Sequence, residues 1–351
     1  MRPDRIVPAE TVRPDRAGGG DPQGARVFRD GPFPRILRLL PGLRKRREGA
    51  MRRASALLGL LLLAVPHATA AKEPELRVLT SFLPIYLFAQ NVAGDAPGIS
   101  VEMMLPAALG CPHDYALTPG DMRKIAAADL FLANGLGMEH FLGAPVRRAN
   151  PGIRVVETAA AVTPLRESGG HRDRPDPAHG DVNPHTWVSP RNAILQVRAV
   201  EKALAEASPG NAPVFRRNAE AYVARLDALV REFDAAAGVF RNRNIIVFHN
   251  VFDYLARDLG LTVVGHIEKS PGQGPSAGEI QALVRRIRET RAAAVFAEPQ
   301  YSSRLAEAVA REAGIPVRML DPVATGSLSL TGYEDAMRSN LAVLTEVLSG
   351  R

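Results

Sequence analysis

Cysteine is nearly absent from this chain. A single residue, Cys111, occurs in 351, so no intramolecular disulfide can brace the fold. Aromatic residues make up only 5%, which argues against a ring-lined pocket for an organic solute. No His-Glu-x-x-His segment occurs, so the common zinc-protease helix is missing. No apolar run reaches the roughly 20 residues of a membrane-spanning helix. The formal charge of +7 does not belong to the body of the chain. Residues 1–50 carry 12 Lys/Arg against 6 Asp/Glu, and Arg52 and Arg53 follow, which leaves −1 on residues 71–351. A body of that charge offers no electrostatic footprint for nucleic acid.

What is present begins with a leader. Met51-Arg52-Arg53, a leucine-rich run over 54–65 and Ala68-Thr69-Ala70 have the order of a secretory signal peptide over 51–70. Residues 1–50, rich in Arg, Pro and Gly, are expected to be disordered or an upstream extension, with Met51 in place of Met1 as the start. No cysteine follows the apolar run to carry a lipid, so a soluble protein outside the cytoplasm is expected.

From residue 76 the pattern alternates between short β-branched runs and helical segments. Strands are predicted at 76–80, 99–105, 129–133 and 153–157, with helices at 83–92, 119–128, 138–148 and 190–207. Phe215, Tyr222, Leu226, Leu229 and Phe233 form one helical stripe, so a rod of about 40 Å is predicted over roughly 213–240. The alternation then restarts, with strands at 244–248, 261–267, 292–297 and 316–320 and helices at 251–259, 276–290, 303–313 and 333–348. Strands alternating with helices imply parallel sheets. The expectation is an α/β protein of two lobes: 71–211, a linker helix 212–240, and 241–351.

In open parallel sheets, ligands gather beyond the carboxyl ends of strands. His113 follows the second strand by a short loop. His185 lies between Pro184 and Pro190 in the segment from Asn183 to Pro190, which also holds the only tryptophan, Trp187. His249 directly follows the run 244–248, and Asp321 directly follows 316–320. Each alone fits a structural histidine or a turn aspartate. Together, three imidazoles and one carboxylate suit a first-row divalent metal, zinc most naturally.

The chain resembles the zinc/manganese group of metal-specific substrate-binding proteins of ABC importers. His113-Asp114-Tyr115 with Thr118-Pro119 and Asp121 is similar to the family's His-x-Tyr-x-x-Thr-Pro-x-Asp. Asn183-Pro184-His185-Thr186-Trp187-Val188-Ser189-Pro190 resembles its Asp-Pro-His-x-Trp-Leu-Asp-Pro. The run from His249 to Leu255, the segment from Phe296 to Gln300, and Leu320-Asp321-Pro322 match further segments. The resemblance covers about 76–351. It implies two four-stranded, mostly parallel sheets flanked by helices and joined by one long rigid helix. It implies a metal in the cleft between lobes, held by His113, His185, His249 and Asp321. It implies a monomeric periplasmic carrier, not an enzyme, that hands its ion to a membrane permease.

Asn183 and Ser189 stand where the family usually has acids, and Gly274 where Glu is common. The first two remove charge near a ligand and are expected to soften a supporting hydrogen bond. Within the group, manganese binders tend to have a carboxylate at the third position. His249 therefore points to Zn²⁺ over Mn²⁺ or Fe²⁺. His171 and His179, in the polar loop 169–180, would bind metal weakly if at all, and Cys111 is not expected to ligate. The rival from another class is a zinc hydrolase with Glu298 as general base.

Overall fold

The computed structural model describes residues 75–110, 112, 115–140, 143–166, 182–268 and 274–350. The leader, Cys111, His113 and the loop histidines His171 and His179 lie outside the described residues.

Two four-stranded parallel sheets are present, with the same internal order. In the first, β1 (Leu76–Thr80) lies between β2 (Ile99–Met103) and β3 (Leu130–Ala133), and β4 (Arg154–Glu157) pairs with β3. In the second, β5 (Asn244–Val247) lies between β6 (Thr262–His266) and β7 (Val295–Ala297), and β8 (Val317–Met319) pairs with β7. The inner strands are mostly apolar and buried, as parallel strands covered on both faces require. β3 reads Leu-Phe-Leu-Ala and every one of its residues is buried.

Helices α1 (Leu83–Ala93), α2 (Pro119–Ala127) and α3 (Ala144–Ala149) connect the first sheet. Thr118 starts α2 with a reciprocal cap, its hydroxyl accepting from Asp121 N while the Asp121 carboxylate accepts from Thr118 N. α3 falls short of the helix predicted over 138–148. Gly135, Leu136 and Gly137 all take positive φ, and the buried carboxylate of Glu139 accepts from the N–H groups of Asn134 and Gly135 at 2.7 and 3.0 Å. That turn consumes the residues that would have formed the first helical turns.

α4 (Pro190–Ala207) leads to α5 (Ala212–Ala237), the predicted rod, whose 26 residues span about 39 Å. Its buried stripe is Phe215, Ala219, Tyr222, Val223, Leu226, Leu229 and Phe233. This stripe packs on α4 and α1. The rod ends three residues earlier than predicted, at a C-cap on Gly238. Beyond it, α6 (Asp253–Asp258), α7 (Ala277–Thr290) and α8 (Arg304–Ala313) connect the second sheet, and α9 (Gly332–Leu348) ends the described chain. Arg225 of α5 pairs with the buried carboxylate of Glu334 in α9 at 2.8 Å.

One apolar core runs through both sheets. It contains Leu79, Phe88, Trp187, Phe215 and Leu226 together with Val247, Phe296, Leu320 and Tyr333. Among the described residues no helix is long and apolar enough to cross a membrane.

Candidate metal centre

Of the residues singled out in the sequence, His249 and Asp321 stand just past the ends of β5 and β8. His185 is held first by the end of β3. Asn134, the next residue, donates from Nδ2 to the Pro184 carbonyl at 2.8 Å and accepts at Oδ1 from Thr186 and Gln196. The ends of the long loop close on each other, with Asn183 N donating to the Leu165 carbonyl at 2.8 Å. His185 then precedes a tight turn, Thr186–Val188, and Ser189 caps α4 by accepting from Asn192 N at 3.1 Å. The proline at each side limits the backbone between them. The result is an imidazole only 1% exposed.

The Asn183 side chain accepts at Oδ1 from His185 N and stands 2.9 Å from His185 Nδ1. The supporting hydrogen bond expected to be soft is thus present at ordinary length. The charge missing at Ser189 is supplied from elsewhere, because its hydroxyl donates to the carboxylate of Asp258 at the end of α6. Neither replacement leaves a gap: Asn183 bonds His185 within its own loop, and Ser189 finds its partner in the second half of the chain.

His249 follows β5 and starts the turn Asn250–Phe252. It is 2% exposed. Its Nδ1 lies 2.5 Å from Glu298 Oε1, and Glu298 stands one residue past β7, fully buried. Gln300 donates to the other carboxylate oxygen at 2.7 Å. A carboxylate behind an imidazole fixes its orientation and makes the other ring nitrogen a stronger donor to a metal.

His185 and His249 come together. Their ring centroids are 5.1 Å apart, with planes at 77°. Two imidazoles on one tetrahedral zinc, at Zn–N about 2.0–2.1 Å, hold their centroids roughly 5 Å apart. Both rings have Nδ1 engaged by the protein, so a metal bound by either ring would meet it at Nε2. Aromatic rings flank the pair: Trp187 lies 5.4 Å from the His185 ring and Tyr301 5.7 Å from that of His249.

Asp321 stands two residues past β8. Its backbone is locked by Asn340, which accepts from Asp321 N and donates to Asp321 O at 2.8 and 2.7 Å. Its carboxylate accepts from Val323 N at 2.7 Å, in a turn that puts Val323 at φ 59°, a costly backbone for a β-branched residue. Burial pushes the Asp321 carboxyl above its ordinary range. The segments of Asp321 and His185 are linked one residue past the first and two past the second: Trp187 Nε1 donates to the Pro322 carbonyl at 2.7 Å. Among the described residues no three His, Cys, Asp or Glu side chains form a group that could hold a metal ion, and His113 is outside them.

Trp187 packs within the first half of the chain, edge-on to Phe82 at 4.8 Å. It also bonds the second half twice, through Pro322 and through Tyr333, whose hydroxyl donates to the Trp187 carbonyl at 2.7 Å. Glu298 was a candidate base in the sequence and is an orienting group in the structure. Its position just past a strand end, like that of the histidines, was the signal that could have marked it.

Comparisons with known proteins agree with this layout. The profile of the family described as "ZnuA: Zinc-uptake complex component A periplasmic" matches residues 78–347. The high-affinity zinc uptake system protein ZnuA of Bacillus subtilis (strain 168) is 28% identical over 288 residues, covering 79% of this chain and 89% of that protein. The iron-binding protein YfeA of Yersinia pestis is 32% identical over 255 residues, 71% of this chain and 76% of that one. The chain spans 59% of the length of the zinc-binding lipoprotein AdcA of Streptococcus pneumoniae serotype 4, at 28% identity. Among solved structures, that of FpvC from Pseudomonas aeruginosa with Mn²⁺ aligns with a TM-score of 0.69 and 29% identity, covering 78% of this chain and 98% of the other. A crystal structure of ZnuA aligns with a TM-score of 0.68 and 28% identity, covering 78% and 99%. A profile match over most of the chain, joined to folds that coincide along nearly the full length of the solved relatives, places the chain in the periplasmic zinc-uptake component A (ZnuA) family.

Proposed function

We propose that the chain is an extracytoplasmic solute-binding protein that captures Zn²⁺ through His113, His185, His249 and Asp321 and delivers it to the permease of an ABC importer. The observation that carries this reading is the buried His185–His249 pair at 5.1 Å, each ring held at Nδ1 by its own partner. Two oriented imidazoles from different halves of the chain suit capture and release of an ion. In this reading the signal peptide over 51–70 is removed, 71–211 and 241–351 each contribute ligands, 212–240 links them, and a monomer works in the periplasm.

Two observations weigh against the hydrolase. Glu298 is fully buried and both its carboxylate oxygens are engaged, one near His249 and one by Gln300, so it has no contact with an attacking water. The relatives are named for binding and uptake. The iron- or manganese-specific carrier is the second reading, supported by the names of YfeA and of the FpvC complex. Imidazole at position 249 favours zinc over these harder ions.

Competition titration of Zn²⁺, Mn²⁺ and Fe²⁺ into metal-free protein, with elemental analysis of the purified chain, is the test. Stoichiometric zinc is expected; manganese bound more tightly than zinc would overturn the assignment. Because neutral imidazoles bind the ion, protons compete with it. Zinc affinity should therefore fall as the pH is lowered from 7.5 to 5.5. An affinity flat from pH 7.5 to 5.5 would rule out an imidazole-based site. Glu298→Gln keeps the shape and removes the charge behind His249. It should weaken zinc about 10- to 100-fold in the same titration, and unchanged affinity would deny Glu298 its orienting role.

A further inference from the structure

We infer that Asn183 is a positioning residue that sets the proton of His185 and ties that loop to the backbone beside His249. Both ends of its amide are assigned by chemistry. The end 2.9 Å from His185 N accepts a backbone N–H, so it is the oxygen. The other end lies 2.7 Å from the Asn250 carbonyl, which can only accept, so it is the NH₂ group. His185 Nδ1 stands 2.9 Å from that same oxygen and bonds to it only as an N–H donor. A neutral imidazole carries one ring proton. The proton is therefore on Nδ1, and the lone pair is on Nε2.

The same amide reaches across the molecule. Its NH₂ group bonds the residue that follows His249 and lies 3.5 Å from Asp253 Oδ2 in α6. The other oxygen of Asp253 is engaged by His266 Nε2 at 3.0 Å. Tyr254 closes the junction by donating to the Asn183 carbonyl at 2.7 Å. One neutral side chain thus orients a ring from the first half and anchors the turn that bears the ring from the second. A carboxylate at 183 could still hold His185, but its second oxygen would face the Asn250 carbonyl and the Asp253 carboxylate, two acceptors. Only a group that accepts at one end and donates at the other fits both sides. The two rings are accordingly backed by different chemistry, His249 by a carboxylate and His185 by an amide. The geometry stands by itself; the consequence for affinity rests on the carrier reading above.

Long-range ¹H–¹⁵N spectra of the histidine rings in the metal-free full chain, with zinc competition titration of the same samples, test the inference. The parent should show His185 as the Nδ1–H tautomer, and Asn183→Ala should populate the Nε2–H form. Asn183→Asp should weaken zinc about 10- to 100-fold, and adding Asp253→Asn should recover much of that loss by restoring a donor at the junction. Thermal unfolding of the metal-free variants checks that they are folded. A His185 tautomer unchanged in Asn183→Ala, or parent-like zinc affinity in Asn183→Asp, would overturn the inference. A parent chain that shows the Nδ1–H tautomer but takes up no zinc would sink the carrier reading and leave the clamp standing.

Discussion

Trp187→Ala is expected to lose about 3–5 kcal/mol of folding stability, seen as a drop in unfolding temperature on the order of 10 °C. The side chain is fully buried. Its ring packs edge-on against Phe82 at 4.8 Å and beside His185 at 5.4 Å. Truncation leaves a cavity in the core shared by both sheets, and the surroundings collapse only partly. It also strips the Pro322 carbonyl of its donor, and an unsatisfied buried acceptor costs about 1–3 kcal/mol. Trp187→Phe separates the two effects, because it retains an aromatic ring and removes the N–H. The phenylalanine variant should fall between parent and alanine. Equal stability of the two variants would mean that the indole ring contributes nothing beyond its hydrogen bond.

His249→Ala should weaken zinc binding by about two to three orders of magnitude. Four-ligand zinc sites are worth about 10–16 kcal/mol. An even share is roughly 2.5–4 kcal/mol per ligand, or about 10²- to 10³-fold in affinity. The metal-free variant will itself be less stable, since removal of the ring strands the Glu298 carboxylate in the core. The deciding readout is therefore the increment in unfolding temperature that zinc produces. Binding to the native state alone raises stability in proportion to the logarithm of ligand concentration over Kd. That increment should be large in the parent and much smaller in His249→Ala. An undiminished increment would remove His249 from the site.

Much of the architecture was legible from local pattern. The run 244–248 is apolar and β-branched, so it reads as a strand wherever it sits. The stripe from Phe215 to Phe233 repeats at helical spacing, so it reads as a rod. Where local rules competed, the reading failed. Residues 138–148 have helical composition, yet the turn at Gly135–Gly137 and the buried Glu139 carboxylate claim their first part. A carboxylate folded back onto two backbone N–H groups is a contact between neighbours that periodicity does not report.

By itself the sequence determined the α/β alternation, the repeat of four strands on each side of a long helix, and His185, His249 and Asp321 just past strand ends or beside a rigid turn. These follow from interactions between near neighbours: side-chain periodicity, proline restriction and caps such as Ser189. Only the tertiary structure decided which groups serve which ring. Glu298 is 49 residues from His249, Asp258 is 69 from Ser189, and the Asn250 carbonyl is 67 from Asn183. Such partners are chosen when buried polar groups must find a match in a core without water. Which match is available depends on how the two sheets pack, and that is a property of the whole chain.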